Sequence, residues 1–221
     1  MTIQLKHPDR LQLRSTDGAI CYGYNQDWYA REWQRKSGCG PTAATLLSGY
    51  VLQRDGYLPA DARSVLAQRR AAMEDVWPYV TPSHCCGLYK TRWFADGLQR
   101  YLDTLAPGAY GLQALPIYPF SLCRRPDKEI FQFIRRGIAA DSPVAFLNRG
   151  RGSEQELSTW HWISIVAVDP TPPYGITCYD NGSVTHFSLS QWLGSTVLGG
   201  GFCFISTAIA AGIHSFQEDD V

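Results

Sequence analysis

The chain has no run of about 18 consecutive apolar residues, the minimum for a bilayer-spanning helix, so nothing in it reads as a membrane span. Its first residues carry Lys6, Asp9, Arg10 and Arg14 with no apolar stretch between them, which is not the pattern of a secretory signal. It has no excess charge of either sign: 20 Lys and Arg balance 20 Asp and Glu. That balance excludes a nucleic-acid or membrane-surface role built on bulk charge. The arginine doublets Arg69/Arg70, Arg124/Arg125 and Arg135/Arg136 are scattered and fit solvated helix faces. The seven cysteines (Cys21, Cys39, Cys85, Cys86, Cys123, Cys178 and Cys203) are odd in number and lack compact disulfide spacing, which points to a reducing compartment, the cytoplasm. His84, Cys85 and Cys86 lie together, but no ligand pair is separated by about two to four intervening residues, so no metal is expected. Gly-x-Ser-x-Gly, Walker A, His-Glu-x-x-His and dinucleotide motifs are all missing, and no cofactor is expected.

What is present is a chain of 221 residues, 45% hydrophobic and 13% aromatic, enough for one domain with a substantial core. The reading is a single domain over 1–221, with a frayed acidic tail at 215–221. Apolar spacing predicts helices from Cys39 to a stop near Gly56, over about 61–77, around Phe94 to Leu105, and from about Asp127 through Ile130, Ile134 and Ile138. Strands are predicted at 19–26, 144–148, 160–168, 174–180, 183–187 and 201–207, with a short helical turn at 189–193. Helices first and then a mostly antiparallel sheet is an α+β arrangement.

Three positions carry chemistry in this pattern. In Ser37-Gly38-Cys39-Gly40-Pro41-Thr42, Pro41 suits the first turn of a helix, so Cys39 falls at or just before its N-terminus. There the unpaired amides favour a thiolate, which makes a nucleophile; the alternative is a small buried apolar residue between two turn-forming glycines. His161 lies near the start of the strand Trp160-His161-Trp162-Ile163-Ser164-Ile165, an ionisable ring among apolar neighbours, either a hydrogen-bonded core residue or a base. Tyr179-Asp180-Asn181-Gly182 ends the next strand. Antiparallel pairing brings Asp180 near His161, where a carboxylate can fix the imidazole tautomer. Asp169, at the far end of His161's own strand, is a weaker candidate, and Asn181 is a fallback.

A Gly-Cys-Gly-Pro-Thr-Ala-Ala helix start, a His-Trp strand followed by aliphatics, and a next strand ending in Tyr-Asp resemble the papain-like cysteine peptidases, in particular the branch similar to bacterial bacteriocin-leader-processing (double-glycine) peptidases. The resemblance runs from about Tyr24 to Thr207, with no matching motif in the helices between Asp61 and Ala140. It implies the papain-like arrangement, a nucleophile helix packed on a C-terminal antiparallel sheet. It also implies a Cys39–His161–Asp180 triad and a covalent acyl-enzyme without cofactor. The family adds a glutamine oxyanion donor upstream of the cysteine, and two positions compete: Gln26, which follows a strand but lies thirteen positions before Cys39, and Gln34, five before it.

The implied activity is that of a cysteine peptidase or amidohydrolase, its partner a peptide or other amide substrate. An acyltransferase of the phytochelatin-synthase-like kind would use the same triad and pass the acyl group to an amine or thiol; ligated products would reveal it. A catalytically inactive peptide-binding module, using some of the seven tryptophans and twelve tyrosines, is the non-enzymatic alternative; a thiol out of reach of the imidazole would mark it. Specificity is expected from the loops at 81–89 and 150–158.

Overall fold

A computed structural model describes residues 1–14, 18–84, 87–119 and 124–207. The expected acidic tail, and with it Cys85, Cys86 and Cys123, lies outside the described residues. The remaining cysteines, Cys21, Cys39, Cys178 and Cys203, are free thiols.

The architecture is α+β. Six strands lie in the order β4 (Tyr110–Ile117), β9 (Gly200–Thr207), β5 (Val144–Asn148), β6 (His161–Val168), β7 (Gly175–Asp180) and β8 (Ser183–Ser188), every neighbouring pair antiparallel. A short β1 (Ile3–Gln4) joins the far end of β6, and β2 (Gln12–Arg14) with β3 (Ile20–Tyr22) forms a separate two-stranded ribbon. The helices are α1 (Glu32–Ser37), α2 (Cys39–Arg54), α3 (Leu66–Val76), α4 (Thr91–Leu105), α5 (Asp127–Ala139) and α6 (Leu189–Ser195).

The central strands β5 and β6 are buried almost throughout, so their short apolar runs show no polar alternation. Phe94 of α4 stacks on Trp162 of β6 at 4.3 Å, and Phe133 of α5 meets Phe204 of β9 at 5.0 Å. On α5, Gly137 allows close approach, since a Cβ there would stand 2.6 Å from a methyl of Val144. One continuous core joins these elements from Leu5 to Ile205.

α2 is the helix around which the rest packs. The expected apolar face (Ala43, Leu46, Leu47, Tyr50 and Val51) is buried, but so is every other residue from Gly40 to Gln53. Two of its buried hydroxyls are satisfied within the helix: Thr45 donates to the Pro41 carbonyl and Ser48 to that of Ala44, each at 2.8 Å. Gly49 leaves room for the Arg63 guanidinium, which donates to the Thr45 carbonyl at 2.7 Å. The helix ends at Arg54, with Gly56 in the left-handed region (φ +80°), the stop expected from sequence.

Three features depart from the sequence reading. β4 interrupts the order of helices before strands. It pairs only with β9, and as an edge strand it tolerates Pro116, whose missing amide hides it from a strand pattern. α3 begins at Leu66 rather than near Asp61, because the Gln68 carboxamide accepts from the Ser64 and Val65 amides (3.0 and 3.2 Å) and caps the helix there. Finally, the strand expected over 19–26 stops at Tyr22, and Asn25 turns the chain by accepting from the Asp27 amide at 2.8 Å. Gln26 therefore opens a 3₁₀ turn instead of closing a strand.

Candidate active site

Cys39 is the first residue of α2, at the end whose leading amides have no carbonyl one turn before them within the helix. Packing requires a glycine at 38 and crowds the position at 40. A Cβ on Gly38 would run into the Gln34 carbonyl and lie 2.7 Å from the Tyr29 ring, and one on Gly40 would lie 2.7 Å from Leu88 Cδ2. The backbone thus passes closely between α1 and the 87–89 segment. That segment is held in turn by the Trp162 indole, which donates to the Leu88 carbonyl at 2.6 Å.

His161 is the first residue of β6, its Cα paired with Asn148 at the end of β5. Asn148 is itself locked: it donates to the Ser158 carbonyl at 2.8 Å and accepts from the Trp192 indole at 2.9 Å. Across the other edge, Tyr179 pairs with Ser164, so Asp180 stands one position further on, a single same-face step from His161. The consequence is a bond from His161 Nε2 to Asp180 Oδ1 of 2.7 Å, between side chains only 12% and 18% exposed. With Nε2 committed to Asp180, Nδ1 is the ring nitrogen left for a second partner, and Cys39 lies close enough to act on the ring electrostatically. Burial alone would lower the imidazole pKa. The bond to Asp180, together with the neighbouring Cys39, outweighs it and pushes the pKa up to about 10.

The other described thiols lack such partners. Burial pushes Cys21, Cys178 and Cys203 up, away from thiolate formation. Asp169, the weaker orienting candidate, binds the amide of Thr171 at 2.9 Å beyond the far end of β6. Asn181 does not orient the imidazole either. Its Oδ1 accepts from the Gln26 amide at 3.2 Å and its carbonyl from Asn25 Nδ2 at 3.1 Å, clasping the 25–27 turn to the end of β7.

The two glutamines separate clearly. Gln34 is buried on α1, with Nε2 donating to Glu74 at 2.8 Å and Oε1 accepting from the Arg31 amide at 3.3 Å. Gln26 reaches the last turn of α1, donating from Nε2 to the Arg35 carbonyl at 2.9 Å. Its Oε1 is buried with no hydrogen-bond partner among the described residues. Two turns of chain between Gln26 and α2 account for the thirteen-residue spacing.

A cleft of about 450 Å³ opens on Cys39, walled by Lys36, Ser83, His84, Tyr89, Leu147 and Trp160. The His84 ring stacks on Trp33 at 4.4 Å, and Trp160, 55% exposed, takes a positive φ of 55° immediately before the catalytic-candidate histidine. Ser83, His84 and Tyr89 thus bring parts of the 81–89 stretch to the wall. The role of Trp160 is not readable from sequence, where it is one of several strand aromatics. Among the described residues no three His, Cys, Asp or Glu side chains converge as metal ligands, and no helix is long and apolar enough to cross a membrane. Comparison of the chain with models of known protein families gives no match, and comparison with curated proteins gives none.

Proposed function

We propose that this protein is a papain-like cysteine-dependent hydrolase that cleaves an amide, most concretely a peptide bond, through a covalent acyl-enzyme on Cys39. The observation that carries the reading is the part-buried His161–Asp180 bond of 2.7 Å, on a ring that also feels the Cys39 sulfur at the start of α2. An ordinary core histidine has no reason to be tied to a carboxylate next to a cysteine that lines an open cleft.

The chemistry follows from these positions. His161 holds the proton taken from Cys39, and the sulfur adds to the substrate carbonyl, forming the S–C bond and a tetrahedral oxyanion. The amides at the start of α2 and the Gln26 carboxamide are the donors on hand for that oxyanion. The C–N bond breaks as the imidazolium protonates the departing amine. Water, deprotonated by His161, then attacks the thioester, releases the carboxylic acid and returns the proton to sulfur. Asp180 holds the ring in place and offsets its charge at both steps.

The test is labelling with a panel of electrophilic peptide-like probes and with iodoacetamide at neutral pH. Cys39 is expected to react ahead of the other thiols, and Cys39→Ala to abolish probe labelling. If Cys39 reacts no faster than Cys21, the proposal fails.

A further inference from the structure

A second cavity, of about 640 Å³, is larger than the cleft on Cys39 and adjoins it. Tyr89 lines both. Leu147 walls the Cys39 cleft, while Arg149, two residues on along the same chain, walls the second cavity with Lys90, Arg92, Pro116 and Tyr118. The wall also includes the first residues of α4, a helix of 15 residues whose N-terminal end carries partial positive charge.

Arg149 is the anomaly. The other deep arginines spend their donors on the protein: Arg69 on five backbone carbonyls, Arg63 on the Thr45 carbonyl and the Tyr24 hydroxyl, and Arg124 on carbonyls that include Tyr118 and Pro119. Arg149 has a buried Nε with no partner among the described residues and one long contact, Nη2 to the Ile117 carbonyl at 3.4 Å. Burial pulls its pKa down, and no neighbouring carboxylate offsets that effect. Lys90 forms no ion pair among the described residues and lies over the Tyr89 and Trp93 rings at 5.4 and 4.8 Å. The acid in the wall, Asp96, faces Arg92 at 3.7 Å in a pair whose side chains are 84% and 56% exposed, a weak and screened interaction. Nη1 makes no hydrogen bond among the described residues and Nη2 only that long one, and this pair of N–H groups matches a carboxylate in bidentate fashion.

We propose that this cavity is an anionic subsite that receives a carboxylate of the peptide substrate, with Arg149 as its main ligand and Lys90 and Arg92 supplying the surrounding field. This rests on the reading of Cys39 as the nucleophile, and it assigns the substrate an acidic side chain or chain terminus beyond the scissile bond.

Binding to the Cys39→Ala protein tests the subsite without turnover. The probes are an acetylated, amidated hexapeptide carrying two glutamates, the same peptide with glutamines, and inorganic phosphate, each titrated calorimetrically. The glutamate peptide is expected to bind about tenfold more tightly than its glutamine counterpart, the worth of one charge-assisted hydrogen bond. Arg149→Met is expected to erase the preference and Arg149→Lys to keep part of it. Because Arg149 serves no partner well among the described residues, Arg149→Met is expected to melt no lower than the parent, which shows the variant folded. In the protein with Cys39 intact, the glutamate peptide is expected to slow alkylation of Cys39, and not in the Arg149→Met variant. Equal binding of the two peptides, or a preference that survives Arg149→Met, overturns the proposal. Phosphate binding through Arg149 without binding of the glutamate peptide also overturns it, because the site would then hold a free inorganic anion. Rapid Cys39 labelling with no glutamate preference sinks the subsite alone, whereas a glutamate preference with an unreactive Cys39 sinks the catalytic reading.

Discussion

Asp180→Ala isolates the contact on which the proposed chemistry depends. The Nε2–Oδ1 distance of 2.7 Å lies in the range of a charge-assisted hydrogen bond, and both side chains are largely shielded from water. Such bonds contribute about 1.5–3 kcal/mol. At about 1.4 kcal/mol per decade, losing that stabilisation of the imidazolium predicts a fall of roughly 10- to 150-fold in Cys39 alkylation by iodoacetamide near neutral pH. Asp180→Asn, which keeps an acceptor oxygen without the charge, is expected to lie between wild type and Asp180→Ala. The assay follows alkylation by mass spectrometry, which resolves Cys39 from the other thiols, from about pH 5 to about pH 10, spanning the ordinary and the raised histidine pKa. The wild-type imidazolium persists until about pH 10; without the carboxylate, only Cys39 opposes burial and the ring loses its proton at lower pH. Stability has the same sign. A raised histidine pKa contributes stability that is fully present below the unfolded value of about 6.5 and is lost as pH rises towards about 10. The urea midpoint difference between wild type and Asp180→Ala should therefore be largest on the acid side and shrink through that window. Superimposable alkylation profiles for wild type and Asp180→Ala would refute the reasoning.

Gln26→Ala is expected to lower turnover of a labelled peptide substrate by on the order of 100-fold, the effect of losing one oxyanion donor, while Gln34→Ala costs about 1 kcal/mol of stability through its lost bonds to Glu74 and Arg31 and leaves turnover near wild type. The reverse pattern in steady-state rates and urea midpoints would assign the oxyanion role to Gln34. Gly40→Ala forces a Cβ to within 2.7 Å of Leu88 and strains the Trp162–Leu88 bond, so thermal denaturation should show a loss of about 1–3 kcal/mol, with slower Cys39 labelling. Arg69→Met strips donors from the carbonyls of Arg10, Leu11, Gln12, Gly23 and Arg63, and urea unfolding should register a loss of roughly 3 kcal/mol or more; a change within about 0.5 kcal/mol would show that water replaces the guanidinium there.

Local chemistry was legible in the sequence where short-range physics decides the outcome. Pro41 and the flanking glycines set the start of α2 at Cys39, because a missing amide and a missing Cβ act within one turn. The isoleucines four apart marked α5, and the apolar run 144–148 marked β5. Asp180 was reachable for a related reason: successive antiparallel strands bring the end of one beside the start of the other. Other features depended on partners distant in the chain. β4 is a strand because β9 pairs with it, and α2 is buried all round because elements from both halves of the molecule enclose it. Gln34 looked closer to the cysteine by spacing, yet Glu74 holds it away, while Asn181, from a turn more than 150 residues later, seats Gln26. Arg149 is one arginine among many in the sequence, and only the lateral order β4–β9–β5 sets it beside the end of β4 with its Nε buried and without a partner among the described residues. Sequence determined which backbone segments turn, cap and alternate, since those preferences are settled among neighbouring residues. The tertiary structure decided which polar groups find partners and which are left facing a cavity, since that depends on what the rest of the chain places around them.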